Sequence, residues 1–213
     1  CADDVDAGSC PSMTVFRSRN VVTPEGVRPA TVHVRGEKIH AVSDYDAWPA
    51  TEERVDVGES VLMPAVVDTH VHVNEPGRTE WEGFASATKA AAAGGITAVV
   101  DMPLNSIPAV TTERAVEAKR ERLEGQLHVD VGLWGGAVPE NTRGDAKGLR
   151  KVLDRGALGF KCFLVPSGVD EFPYVREGDV REALRQLHGT GATLMVHAEL
   201  PGPIDAAAHS MAA

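Results

Sequence analysis

Cysteine is scarce in this 213-residue chain: Cys1, Cys10 and Cys162 form no C-x-x-C pair and leave one thiol over in any disulfide scheme. Neither a disulfide framework nor a thiolate zinc site is indicated. Aromatic residues make up only 5% of the chain, and no apolar run approaches the ~18 to 20 residues of a membrane span. Lysine and arginine form no run and the formal net charge is −10, which argues against a nucleic-acid footprint. The first residues, CADDVDAGSC, contain neither the basic nor the apolar part of a secretion leader. These absences leave a small-molecule partner and a cytoplasmic location as the expectation, with no nucleic acid and no membrane. A first-residue cysteine could carry lipid, but the missing initiator Met fits a fragment or clipped chain better, and the opening residues are expected to be poorly ordered.

What is present is apolar material, 43% of residues, enough for one sizeable core. From Thr14 to Val42 it is arranged in short alternating runs, TVFRSRNVV and ATVHVRGEKIHAVS, with a turn at Gly36. This pattern predicts a small antiparallel β subdomain over residues 1–60, of the β-sandwich type. Beyond the polar segment AWPATEERVDVGES the texture changes. Apolar segments VLMPAVVD, ITAVVDMP, LHVDVGLWGG, ALGFKCFLV and ATLMVHAE recur roughly every 30 residues, separated by helical patterns that end in glycine. Thr79 and Glu82 read as a capping box ahead of the first of these helices.

Such alternation over residues 61–213 predicts βα units around a parallel sheet, either a doubly wound sheet or a (β/α)8 barrel. No G-x-G-x-x-G or P-loop follows the first strand. Polar residues instead sit at strand C-terminal ends, as in barrel enzymes. Only five strands can be counted, and a whole barrel takes ~250 residues, so about the first five strands of a partial barrel are expected.

The chemistry is concentrated at those strand ends. His70 and His72 in DTHVHV are two apart, on one face of a strand, and can present two imidazoles to one metal ion. Asp68 could orient one of the rings through its other nitrogen. Lys161 is a cation in the apolar run GFKCFL. It could be salt-bridged, it could be a Schiff-base or general-base lysine, or its neutral amine could take up carbon dioxide and become an anionic carbamate bridging two metals. His197 in LMVHAE could bind the second metal, and Asn105 could bond a substrate amide. Cys162 reads as packing, and His33, His40, His128, His188 and His209 as structural or solvated.

DTHVHVNEPGRTEWEGF, AAAAGGITAVVDMPLNSIPAVTT, GALGFKCFLVPSGVDEFP and LMVHAELPGPIDAAAHS together resemble the cyclic-amidohydrolase branch of the amidohydrolase superfamily, most closely the allantoinases. The resemblance implies a (β/α)8 barrel beside a small β subdomain and hydrolysis of a cyclic amide, allantoin opening to allantoate. It also implies a homotetramer and two divalent metal ions, zinc by type, held by His70, His72 and His197 and bridged by carboxylated Lys161. Dihydroorotases carry an arginine where this chain has Asn74. Hydantoinases, dihydropyrimidinases and a non-catalytic scaffold are the alternatives. The family takes a further histidine and an aspartate from later strands, so the chain is expected to be the N-terminal part of such an enzyme, with an incomplete metal site.

Overall fold

The computed structural model describes residues 12–47 and 53–211. Cys1, Cys10 and the opening residues whose order was in question lie outside that part. The chain divides into two compact units, Cys1–Pro64 and Ala65–Ala213.

In the first unit, β1 (Met13–Thr23), β2 (Gly26–Arg35), β3 (Lys38–Ser43), β4 (Glu53–Asp56) and β5 (Val61–Leu62) form one sheet in the order β3-β2-β1-β4, with β5 also on β1. Alternation in β1 buries Val15 and Val21, and Val21 packs with Ala30 and Val32 of β2. The β1–β2 and β2–β3 pairs are antiparallel, as the hairpin patterns suggest, but β4 and β5 run parallel to β1. The unit is therefore mixed rather than antiparallel. The sequence hid β4 because all four of its residues, ERVD, are exposed and polar or valine, leaving no apolar alternation to read.

VLMPAVVD is not one strand. Val61 and Leu62 pair with β1, and the next strand starts at Val66. Pro64 lies between them, and without an N–H it cannot continue a ladder.

The second unit contains β6 (Val66–Val71), α1 (Phe84–Ala93), β7 (Ile96–Asp101), α2 (Glu113–Glu121), β8 (Asp130–Leu133), β9 (Gly135–Gly136), α3 (Pro139–Thr142), α4 (Gly148–Asp154), β10 (Gly159–Phe163), α5 (Glu177–Leu187), β11 (Thr193–His197) and α6 (Pro201–Met211). Its strands make two parallel sheets, β6-β7-β8 and β9-β10-β11. Only Trp134 separates β8 from β9, so the strands stand side by side in chain order. A doubly wound sheet would reverse that order; no reversal occurs among the described strands.

Consecutive buried residues in β7 and β10 show that both faces of these strands are covered. One face meets the helices, where Phe160, Cys162, Leu149, Val152 and Val116 form the main core. Gly136 permits a close approach: a side chain there would collide with the ring of fully buried Phe172.

The helix-start signals hold for α2, where Thr112 Oγ1 accepts the Ala115 N–H at 3.2 Å. They fail for α1, whose N-cap is Gly83 and not Thr79. Glu75, further back in the NEPG loop, accepts the Phe84 N–H at 3.0 Å, while Glu82 accepts the Ser86 hydroxyl. A folded-back loop has replaced the local capping box.

Candidate functional site

The end of β6 is fixed from β7: the Met102 N–H donates to Val71 O at 2.7 Å and the Val73 N–H to Asp101 Oδ1 at 2.7 Å. Across the sheet, the Trp134 indole donates to Thr69 O at 2.9 Å. His70 and His72 project from this anchored segment on one side, with ring centroids 5.5 Å apart and planes at 46°. Asp68 does not orient either ring. Its carboxylate accepts the His70 backbone N–H at 3.0 Å, so its influence on the pair is through the main chain.

Asn105 lies beside this pair. Its side-chain amide nitrogen is 3.5 Å from His72 Nδ1, and its backbone is in the left-handed region at φ 75°. Neighbouring loops brace it. Arg78 Nη1 donates to Asn105 O at 3.1 Å, ion-pairs with Glu171 and lies 5.0 Å over the Trp81 ring. Gly77, at φ +93°, packs against Ile107 where a side chain would not fit, and the Ile107 N–H donates to Pro76 O at 2.8 Å.

Lys161 sits in β10, only 6% exposed. Its ammonium nitrogen lies 5.1 Å from the centre of the Phe163 ring, and among the described residues it has no ion pair or hydrogen bond. Burial lowers its pKa below the ordinary lysine value. Cys162 points into the core on the other face, 1% exposed, with its thiol pushed up by burial to about 11. A thiol with that pKa is inert at neutral pH, in keeping with a packing role.

His197 also meets Phe163, stacked at 5.0 Å between centroids, and its Nε2 is 2.8 Å from Glu199. The expected residues therefore form two groups, His70–His72–Asn105 and Lys161–Phe163–His197. Among the described residues no three His, Cys, Asp or Glu side chains converge on one point. His197 is thus not gathered with the other two histidines. Its ring is occupied by Phe163 and Glu199. The groups do sense one another: partial desolvation, then the charges of His70, Lys119 and Lys161, hold His72 below the ordinary imidazole value. Its outer edge is open to solvent, and the ring stays neutral and able to act as a metal ligand to lower pH than a free histidine.

Sequence reasoning missed the ion pair of Asp101 and Lys119, whose side chains are 0% and 1% exposed. Lys119 is masked in sequence by the charged run EAKRERLEG. The available signal was its spacing, three residues after Val116 and four after Ala115 on the buried stripe of α2. Burial pushes the Asp101 carboxyl up to about 6, against the pull of Lys119 and of the Val73 and Met102 N–H groups.

The profile of the amidohydrolase family matches residues 61–210, about 70% of the chain and all of these side chains. The chain belongs to the amidohydrolase family. It is 53% identical over 194 residues to "Allantoinase" of Streptomyces avermitilis, across 91% of this chain and 43% of that protein. It is 44% identical to "Allantoinase" of Arabidopsis thaliana, across 86% of this chain and 37% of the other. Among solved structures, "L-Hydantoinase (Dihydropyrimidinase) from Arthrobacter aurescens" superposes with a TM-score of 0.79 at 30% identity, over 93% of this chain and 43% of that one. This amidohydrolase chain thus spans about two fifths of the length of the relatives it matches.

Proposed function

We propose that the protein carrying this chain opens a cyclic amide by metal-assisted hydrolysis, with allantoin as substrate and allantoate as product. The observation that carries the reading is Lys161, a buried lysine with no ion pair among the described residues, with a lowered pKa, on the same unit as the His70–His72 pair. Similarity to two proteins named allantoinase narrows the substrate.

The donor chemistry fits a pair of divalent cations such as zinc, which prefers neutral imidazole and anionic oxygen. His70 and His72 would hold one, His197 the other, and carboxylated Lys161 both; when bound, they lower the pKa of water and polarise the ring carbonyl. Carboxylation needs the neutral amine. The lysine nitrogen bonds to the carbon of carbon dioxide and releases one proton, and the burial that lowers the Lys161 pKa favours this form. His197 must release Glu199 from Nε2 or bind through Nδ1. Asn105 would bond the substrate amide beside His72, held there by Arg78. Within this reading β6 to β11, with β8 and β9 as one strand interrupted at Trp134, are the first five strands of a (β/α)8 barrel. The apolar groove of about 450 Å³ on the N-terminal sheet, lined by Phe16, Val32, Ile39 and Leu62 among others, is the inner face of a sandwich. A cytoplasmic homotetramer completes the proposal; among the described residues no helix is long and apolar enough to cross a membrane.

The test is allantoate release by the full-length protein with and without a chelator. The reading expects turnover that chelation abolishes and zinc restores; chelator-insensitive turnover contradicts it. A second reading is favoured by the L-hydantoinase likeness: faster opening of hydantoins or dihydropyrimidines than of allantoin would replace the substrate while leaving the reaction class intact.

A further inference from the structure

Three hydrogen bonds of one buried ion pair converge behind the His72–Asn105 contact. Asp101, at the end of β7, accepts the Val73 N–H at 2.7 Å through Oδ1. Lys119, on α2, ion-pairs with Asp101 and donates to Val73 O and Ser106 Oγ, both at 3.1 Å. Val73 follows His72, and Ser106 follows Asn105. Because β6 ends at Val71, both backbone groups of fully buried Val73 lack a strand partner and depend on this pair.

Apolar side chains of similar volume often stabilise a fold as well as a buried ion pair does or better. Stability alone therefore gives no reason to place one here. An apolar pair, however, could not grip a peptide N–H and C=O. We propose that Asp101 and Lys119 are positioning residues, fixing the backbone beside His72 and Asn105 so that imidazole and amide face the site in one geometry. The consequence for metal binding rests on the proposed function; the consequence for side-chain geometry does not.

The decisive variant is the double substitution Asp101→Leu/Lys119→Met in the full chain, examined by NMR. The nuclear Overhauser effect between the Asn105 amide protons and the His72 ring should disappear and the His72 ring signals broaden, while the protein still unfolds in one cooperative step, at a midpoint lowered by the loss of the two Val73 hydrogen bonds. A folded double variant with the parent's His72–Asn105 effect and ring shifts overturns the proposal. If the double variant does not fold, Ser106→Ala decides: displaced Asn105 side-chain signals at an unchanged midpoint support it, and unmoved signals overturn it. Zinc titration of the same proteins should show affinity lowered about 10- to 100-fold, the usual effect of losing a residue that orients a ligand. A parent that binds no zinc would overturn the metal reading of His70 and His72, and the NMR comparison would still settle the positioning role.

Discussion

Two buried lysines in one unit have met the same physical problem in opposite ways. Lys119 is 0% exposed, paired with Asp101 and hydrogen-bonded to Val73 and Ser106. Lys161 is 6% exposed and, among the described residues, faces only an aromatic ring. Desolvating an ammonium is costly unless it is neutralised. At Lys119 the fold supplies the neutralising carboxylate, and the residue is structural in its own right. Among the described residues Lys161 has no such carboxylate. The first arrangement suits a side chain that braces its neighbours; the second suits the amine that the proposed function requires at Lys161.

Breaking each lysine separately should give opposite profiles. In the full-length protein, Lys161→Ala is expected to lower kcat/KM by at least about 1000-fold, several kcal/mol of transition-state stabilisation. Its stability should change by less than about 1 kcal/mol, since lost stem packing and relieved desolvation oppose each other. Metal analysis and urea unfolding of one preparation check both halves. Lys119→Met should instead cost about 3 to 5 kcal/mol of stability, because it leaves Asp101 buried without a cation, and Asp101→Leu added to it should recover only part of that loss, since Val73 stays without its partners.

A pH series sharpens the contrast. Asp101 takes up its proton at about 6 in the fold, above the ordinary 3.8, with Lys119 as the charge facing it. The folded state therefore binds the proton more tightly than the unfolded one, and the stability this confers is complete below about pH 4. It is lost as the pH rises through 6, a change of about 3 kcal/mol. Asp101→Asn should flatten that part of the stability curve, whereas Lys161→Ala should leave it in place. The smallest effect is expected at the partly buried Arg78–Glu171 pair, where Glu171→Gln should cost about 1 kcal/mol of global stability while loosening the Asn105 loop in hydrogen exchange.

Sequence showed those features that rest on apolar periodicity or on neighbours in the chain. ITAVVD, GFKCFL and TLMVH read as buried strands and are β7, β10 and β11; the i, i+2 spacing of His70 and His72 sufficed to place them on one side. It misled where the deciding partner was remote. Glu75 caps α1 from eight residues before the N-cap, outside the first turn that a capping-box pattern reads. Asp101 and Lys119 are 18 positions apart, and only the fold, which brings Lys119 of α2 to the end of β7, turns two unremarkable charges into a pair.

The most direct test of the central claim, that Lys161 is free to become an anionic ligand, is carbon-13 NMR of the zinc-loaded protein in labelled bicarbonate. The account predicts a carbamate carbonyl signal that grows as the pH rises, since the neutral amine reacts, and that is absent from Lys161→Ala. A spectrum without this signal, with Lys161 titrating as an ordinary ammonium, would contradict it.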